Sequence, residues 1–329
     1  MARFSAEVEE DRESGLQIVN LIDQTESVRV QIIPELGNNL VSLTIAHKGQ
    51  DLELIHIPTD IKNLKSGDYQ FYGNPILFPF PGRIPRGEFH THYQNFQLPI
   101  NFGDGTAIHG FVYDKKWEVS EVSAPSSKEV FLKSTYTSDS IVEEFFPFPF
   151  QIDMTYILGK SQLELNFQAK NTGEQAFPFG YGIHPYFSIS GKRKDWVLYF
   201  PANEIYELID LIPSGHTKKI PELFDFRTEK SLKDIYMDDL FGKIKKDKNG
   251  YTSCELKNRA NGFNLEVISD QSFEYYVLYA PQGQDFICIE PYTCIPNAFN
   301  LIHSGFETGL RSLEPNETFE ARIWFEWKI

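Results

Sequence analysis

Five polar residues stand where their neighbours are apolar or rich in glycine and proline. Glu290 follows the run Phe286-Ile287-Cys288-Ile289 and precedes Pro291. Such a run fits a strand covered on both faces. Proline cannot donate to a ladder, so the strand is expected to stop at Glu290. A carboxylate there is either a partly solvated strand end or a base whose proton affinity burial has raised. His184 lies in Tyr181-Gly182-Ile183-His184-Pro185-Tyr186-Phe187. The aromatic ring around it predicts partial burial and a tunable imidazole. Arg83 follows a stiff wall of Phe and Pro, where its fork could serve a ligand's hydroxyls or a structural ion pair. His109 lies in Ala107-Ile108-His109-Gly110-Phe111, and the glycines at 103, 105 and 110 permit close ligand approach. A solvated or structurally bonded imidazole is the alternative there. Asp238, in Met237-Asp238-Asp239-Leu240-Phe241, reads by itself as a turn or helix end. Together these residue types suit proton transfer and hydrogen bonding.

The elements that must position them read as strands. Val28 to Pro34, Leu40 to His47 and Asp51 to Ile57 come first, with glycine turns between them. Residues 60–73 are polar and irregular, with room for one helical turn. A single strand is expected from Glu88 to Leu98. Trp117 to Val122 and Val130 to Tyr136 pair, and Phe150 to Leu158 turns through Gly159-Lys160-Ser161 into Gln162 to Lys170. Leu163, Leu165, Phe167 and Ala169 alternate with polar residues there, the period of a half-buried strand. Asp195 to Phe200 and Glu204 to Leu208 follow. Residues 209–250 are the least regular, with a short helix expected around Leu232 to Met237. Asn261-Gly262 signals a hairpin between Thr252 to Leu256 and Phe263 to Ile268. Tyr275 to Tyr279, the Glu290 strand and Thr318 to Trp327 complete roughly fifteen strands, the count of a sandwich or barrel. No linker, composition break or repeat divides the chain, so residues 1–329 are read as one all-β domain, a large antiparallel β-sandwich.

Composition narrows the partners. The net charge of −15 opposes nucleic acid and anionic membrane surfaces. Aromatic residues make up 15% of the chain, which favours strands and also suits stacking on sugar faces. Cys254, Cys288 and Cys294 cannot all pair and have no metal-like spacing, pointing to a reducing, cytoplasmic setting. The N-terminus lacks a secretory apolar core, and no apolar run reaches membrane-spanning length. His90 and His92 share a strand face, but two ligands alone are not a zinc site, so no metal is expected. Phosphate-loop, dinucleotide and nucleophile-elbow motifs are absent, so no cofactor is expected. Lys115-Lys116 and Lys192-Arg193-Lys194 read as solvated loop charges or, less simply, a phosphate-contacting patch.

Five fragments taken in order resemble the aldose 1-epimerase (mutarotase) family, of the galactose mutarotase-like type. They are Gly82-Arg83-Ile84 with Gly87 and Phe89; His109-Gly110-Phe111 before Trp117-Glu118-Val119; His184-Pro185-Tyr186-Phe187; Asp238 with Phe241; and Glu290-Pro291 before Asn297 and Asn300. The resemblance spans residue 28 to the end. It implies an antiparallel β-sandwich with a sugar cleft, Glu290 as general base, His184 as general acid, and Arg83, His109 and Asp238 as sugar-binding residues. Galactose-type members usually carry Asn where Gly82 stands, which leaves the sugar open.

The implied reaction interconverts the α and β anomers of a free aldose by ring opening and reclosure. It needs a base for the C1 hydroxyl and an acid for the ring oxygen, pictured on opposite sides of the C1–O5 bond. With Glu290 ionised and His184 protonated, activity would fall below the Glu290 pKa and above the His184 pKa. The alternatives are a hexose-6-phosphate mutarotase, which wants extra Arg or Lys at the cleft; a non-catalytic sugar-binding protein; and a lyase or glycosidase using Asp238 as second carboxylate. The partner in every case is a sugar, and the chain is expected as a monomer or homodimer.

Overall fold

The structure is a computed structural model that describes residues 2–57, 64, 69–91 and 94–328. Antiparallel strands dominate it. A nine-stranded sheet runs, edge to edge, through Glu118–Ser123, Val130–Thr137, Phe150–Gly159, Gln162–Asn171, Thr318–Lys328, Asn264–Ser269, Thr252–Asn258, Trp196–Tyr199 and Lys230–Ser231. The alternation in Gln162–Asn171 sets its register: Leu163 faces Phe325 and Leu165 faces Ile323, all buried on one side. A one-residue slip would turn this whole apolar row to solvent.

An eight-stranded sheet carries the organising strand Phe286–Tyr292 between Tyr275–Ala280 and the short strands Gly182–Ile183 and Tyr186–Ser188. Beyond Tyr275–Ala280 come Met237–Gly242, Glu204–Ile209 and Ile212–Lys218. Ile287 and Ile289 join the main core, whereas Cys288 and Tyr292 lie in separate clusters on the other face. Phe187 reaches Phe325 of the nine-stranded sheet, ring centres 5.2 Å apart, so the two sheets share the core. Burying each such Ile or Phe contributes about 1.5–3 kcal/mol, which anchors one face of the sheet and frees the other for polar work.

Most expected strands are present within a residue or two. The strand of Glu290 does not stop at Pro291 but runs to Tyr292. Its neighbours explain this: Gly182 pairs with Tyr292 and Tyr186 with Cys288, while no pairing joins residues 183–185 to 289–291. Proline's missing donor falls where the ladder is already open. Glu88 to Leu98 is not one strand but a hairpin, Glu88–His90 against Asn95–Gln97. Instead of a helix around Leu232 to Met237, Met237 begins a strand, whose apolar Leu240 and Phe241 are buried on the sheet. Two further strands, Phe4–Glu10 and Gln17–Asp23, precede the first expected one and build a five-stranded sheet with Val28–Ile33, Asn39–His47 and Gln50–Glu53. Of the helical turn allowed in 60–73, Tyr69–Phe71 forms a 3-10 turn, and residues 60–63 and 65–68 lie outside the described ones. His92 does also.

Candidate active site

Register alone brings the main residues together. Across the eight-stranded sheet Leu240 faces Val277, and Val277 faces Glu290. The pairings Gly182 with Tyr292 and Tyr186 with Cys288 place His184 in the gap opposite Glu290. The next row on the same face is Asp238, Tyr279, Cys288 and Tyr186. Residues opposite one another in antiparallel strands project to the same face. Where the ladder opens, the His184 N–H is taken by the Pro75 carbonyl at 3.0 Å, and its ring stacks on Tyr186 at 4.6 Å.

These side chains, Cys288 excepted, floor an open cleft, the concave shape that suits a small ligand. Glu290, His184, Arg83, His109 and Asp238 all line it. The structure therefore brings all five candidates to one place, including Asp238, which lies on a strand rather than in a turn. His184 Nε2 and Glu290 Oε1 are 3.4 Å apart, side by side rather than on opposite flanks. Tyr292 donates its hydroxyl to Glu290 Oε2 at 2.5 Å, which turns Oε1 toward His184.

Both members of the pair are buried, Glu290 to 1% and His184 to 7% exposure. Burial lifts the Glu290 carboxyl well above its ordinary value; the Tyr292 hydrogen bond opposes this and nearby Asp238 adds to it. Burial pushes the His184 imidazole down to about 3, against a backbone hydrogen bond and with the Arg83 charge assisting. Desolvation thus favours the neutral forms of both, a protonated carboxyl beside an unprotonated imidazole. That direction runs against the expected pair of carboxylate and imidazolium.

Arg83 gives its Nε–H to Asp104 at 2.9 Å and lies over Phe102, 5.3 Å from the ring centre. The ion pair and the cavity position coexist. His109 sits in the left-handed region, φ +64, with Gly82 N–H donating to its Nδ1 at 3.2 Å. The neutral ring therefore carries its proton on Nε2, and burial lowers its pKa. Its ring meets that of His184 edge to face at 5.3 Å. Gly82 has φ +70, and a Cβ there would meet Pro296 Cγ at 2.5 Å. Glycine at 82 is thus a packing requirement of this chain. Asp238 is lifted by burial and by Asp239, with Arg83 opposing.

Reading the sequence missed Tyr292, although it is two residues from Glu290 and so on the same strand face. Ending the strand at Pro291 hid it. Leu208 and Leu211 of the supposedly irregular segment also line the cavity. Leu211 belongs to a two-residue hairpin turn in which Asp210 and Leu211 have φ 50 and 63, values that favour Asn-Gly. Of the basic groups, Lys116 pairs with Glu35, and Arg193 donates to the carbonyls of Leu232, Gln284 and Ile235. His90 stacks on His303 at 4.3 Å.

A family model described as aldose 1-epimerase matches residues 20–326. The uncharacterized protein YihR of Escherichia coli is 27% identical over 78% of this chain and 76% of its own. A galactose mutarotase-like protein from Clostridium acetobutylicum superposes with a TM-score of 0.89 at 20% identity, covering 99% of both chains. Galactose 1-epimerase from Lactobacillus acidophilus gives 0.77 at 18% identity, over 100% of this chain and 99% of that one.

Proposed function

Since the chain belongs to the aldose 1-epimerase family, we propose that it interconverts the anomers of a free aldose by acid–base ring opening. The observation that carries this reading is the buried 3.4 Å contact between His184 and Glu290 on the cavity floor. The C1 hydroxyl and the ring oxygen are geminal on C1, so an adjacent acid and base can address both. Moving the resting proton from Glu290 to His184 creates the reactive form. The carboxylate takes the C1 hydroxyl proton while the imidazolium protonates the ring oxygen and C1–O5 breaks. The aldehyde turns about C1–C2, and the ring recloses with the roles exchanged. Each transfer contributes about 10² to 10⁴-fold.

Arg83, His109 and Asp238 bind sugar hydroxyls in this reading. A phosphorylated sugar is disfavoured: Arg83 is the only Lys or Arg among the described residues of the cavity, against Asp238, Asp239 and Glu290. The free, buried thiols fit a reducing compartment.

Polarimetry of freshly dissolved α-D-glucose and α-D-galactose tests the reading. The protein should hasten the approach to an unchanged final rotation, and Glu290→Gln should lose that effect while still binding sugar. Undiminished turnover in Glu290→Gln would remove the base assignment. Release of aryl alcohol from aryl glycosides would instead favour a two-carboxylate hydrolase.

A further inference from the structure

Cys288 takes no part in the proton transfers, yet it completes a cluster with the two residues that do. One ligand atom each from His184, Cys288 and Glu290 lie within 4.8 Å of one another, and all three residues are buried. The sheet explains the convergence. Cys288 and Glu290 are two apart on one strand face, and His184 fills the gap opposite Glu290. Among the described residues Glu290 Oε1 has no hydrogen-bond partner. Tyr292 already occupies Oε2, the kind of outer contact that orients a ligating carboxylate.

We infer that these three side chains form a binding site for a borderline-soft divalent cation such as zinc, whose occupancy reversibly blocks the active site. Nitrogen, thiolate and carboxylate together suit zinc or cobalt and disfavour magnesium and calcium. Bonds of about 2.0–2.3 Å to one tetrahedral ion place ligand atoms roughly 3.3–3.7 Å apart. The His184–Glu290 pair is already at 3.4 Å, and the ligand atoms of the cluster, within 4.8 Å of one another, need to draw together by about 1–1.5 Å at most to hold an ion. His184 and Glu290 line the cavity, so an ion held by them would occupy the acid–base pair itself. On binding, the thiol proton and the proton shared by His184 and Glu290 leave to solvent, and the metal takes the three lone pairs. No redox change is involved. The loss of activity rests on the mutarotase reading, because it removes the acid and the base together; the binding does not.

The test titrates the wild-type protein with cobalt(II) and zinc, following absorbance and mutarotation separately. A thiolate-to-cobalt charge-transfer band should grow with one equivalent of metal, displaced by zinc and abolished by EDTA. Zinc should suppress mutarotation and EDTA restore it. Cys288→Ala should keep basal mutarotation, lose the band and become at least tenfold less sensitive to zinc. A Cys254→Ala/Cys294→Ala variant should keep the band, which guards against a poorly folded Cys288→Ala protein. No band in wild type, a band surviving Cys288→Ala, or a band lost from the double variant would each overturn the site. A band in a protein that accelerates no sugar would refute the mutarotase reading and leave the site standing.

Discussion

Replacing Tyr292 with Phe removes one hydroxyl and leaves a ring of nearly the same volume on the cavity floor. In the native protein that hydroxyl donates to Glu290 Oε2 at 2.5 Å and holds the carboxyl's proton affinity down against burial and Asp238. A hydrogen bond to a charged group contributes about 1.5–3 kcal/mol, and one pKa unit corresponds to about 1.36 kcal/mol. Tyr292→Phe should therefore raise the Glu290 pKa by about 1–2 units. The pair works with one proton, so the acid limb of the rate profile marks gain of a second proton and the alkaline limb loss of the only one. Glu290 holds that last proton more tightly than His184 does, because burial raises one group and lowers the other to about 3. The alkaline limb should thus move up by about 1–2 units. The reactive carboxylate–imidazolium form becomes rarer, and kcat should fall about 10- to 100-fold, by the tenfold that each ~1.4 kcal/mol represents. Polarimetric rates across pH, beside a thermal melt to show an intact fold, measure both. An unmoved alkaline limb in a folded variant, or one that moves down, would refute the one-proton account.

Three other outcomes follow from the geometry. Gly82→Asn should lower the melting temperature and sugar affinity together, because its Cβ would meet Pro296 Cγ at 2.5 Å; adding Pro296→Ala should restore part of both, and an unchanged melt in the single variant would count against the packing argument. The pair also predicts a stability window. In acid the unfolded imidazole gains a proton that the folded His184, held down to about 3, refuses; toward alkaline pH the folded Glu290 carboxyl, raised well above its ordinary value by burial, keeps a proton that the unfolded carboxyl has lost. Stability from the pair should fall toward both acid and alkaline pH, so the melting difference between wild type and Glu290→Gln/His184→Asn should change toward both extremes. Leu211→Gly should raise KM by loss of the cavity-lining side chain while leaving the melting temperature unchanged or higher, since relief of a left-handed leucine, about 1–2 kcal/mol, offsets glycine's greater unfolded entropy; a lower melt with unchanged KM would contradict this.

Local pattern decided much of this protein in advance. The alternation from Gln162 onward sets a strand and its facing direction without any knowledge of the partner. A glutamate after an apolar run, a histidine among aromatics and an arginine behind a Phe-Pro wall stand out because burial of such groups needs a reason, and that reason is local enough to see. Other features depended on contacts distant in the chain. Pro291 reads as a stop only until the gap opposite residues 289–291 is known, and the stop concealed Tyr292. Met237–Gly242 looks irregular alone and becomes a strand because Tyr275–Ala280 supplies its ladder. The residue types announced an acid and a base; their 3.4 Å separation and the thiol beside them arise from the register between strands about a hundred residues apart in sequence. Pairing register is a property of the assembled sheet, set by cores and turns elsewhere, and it alone determines which side chains meet.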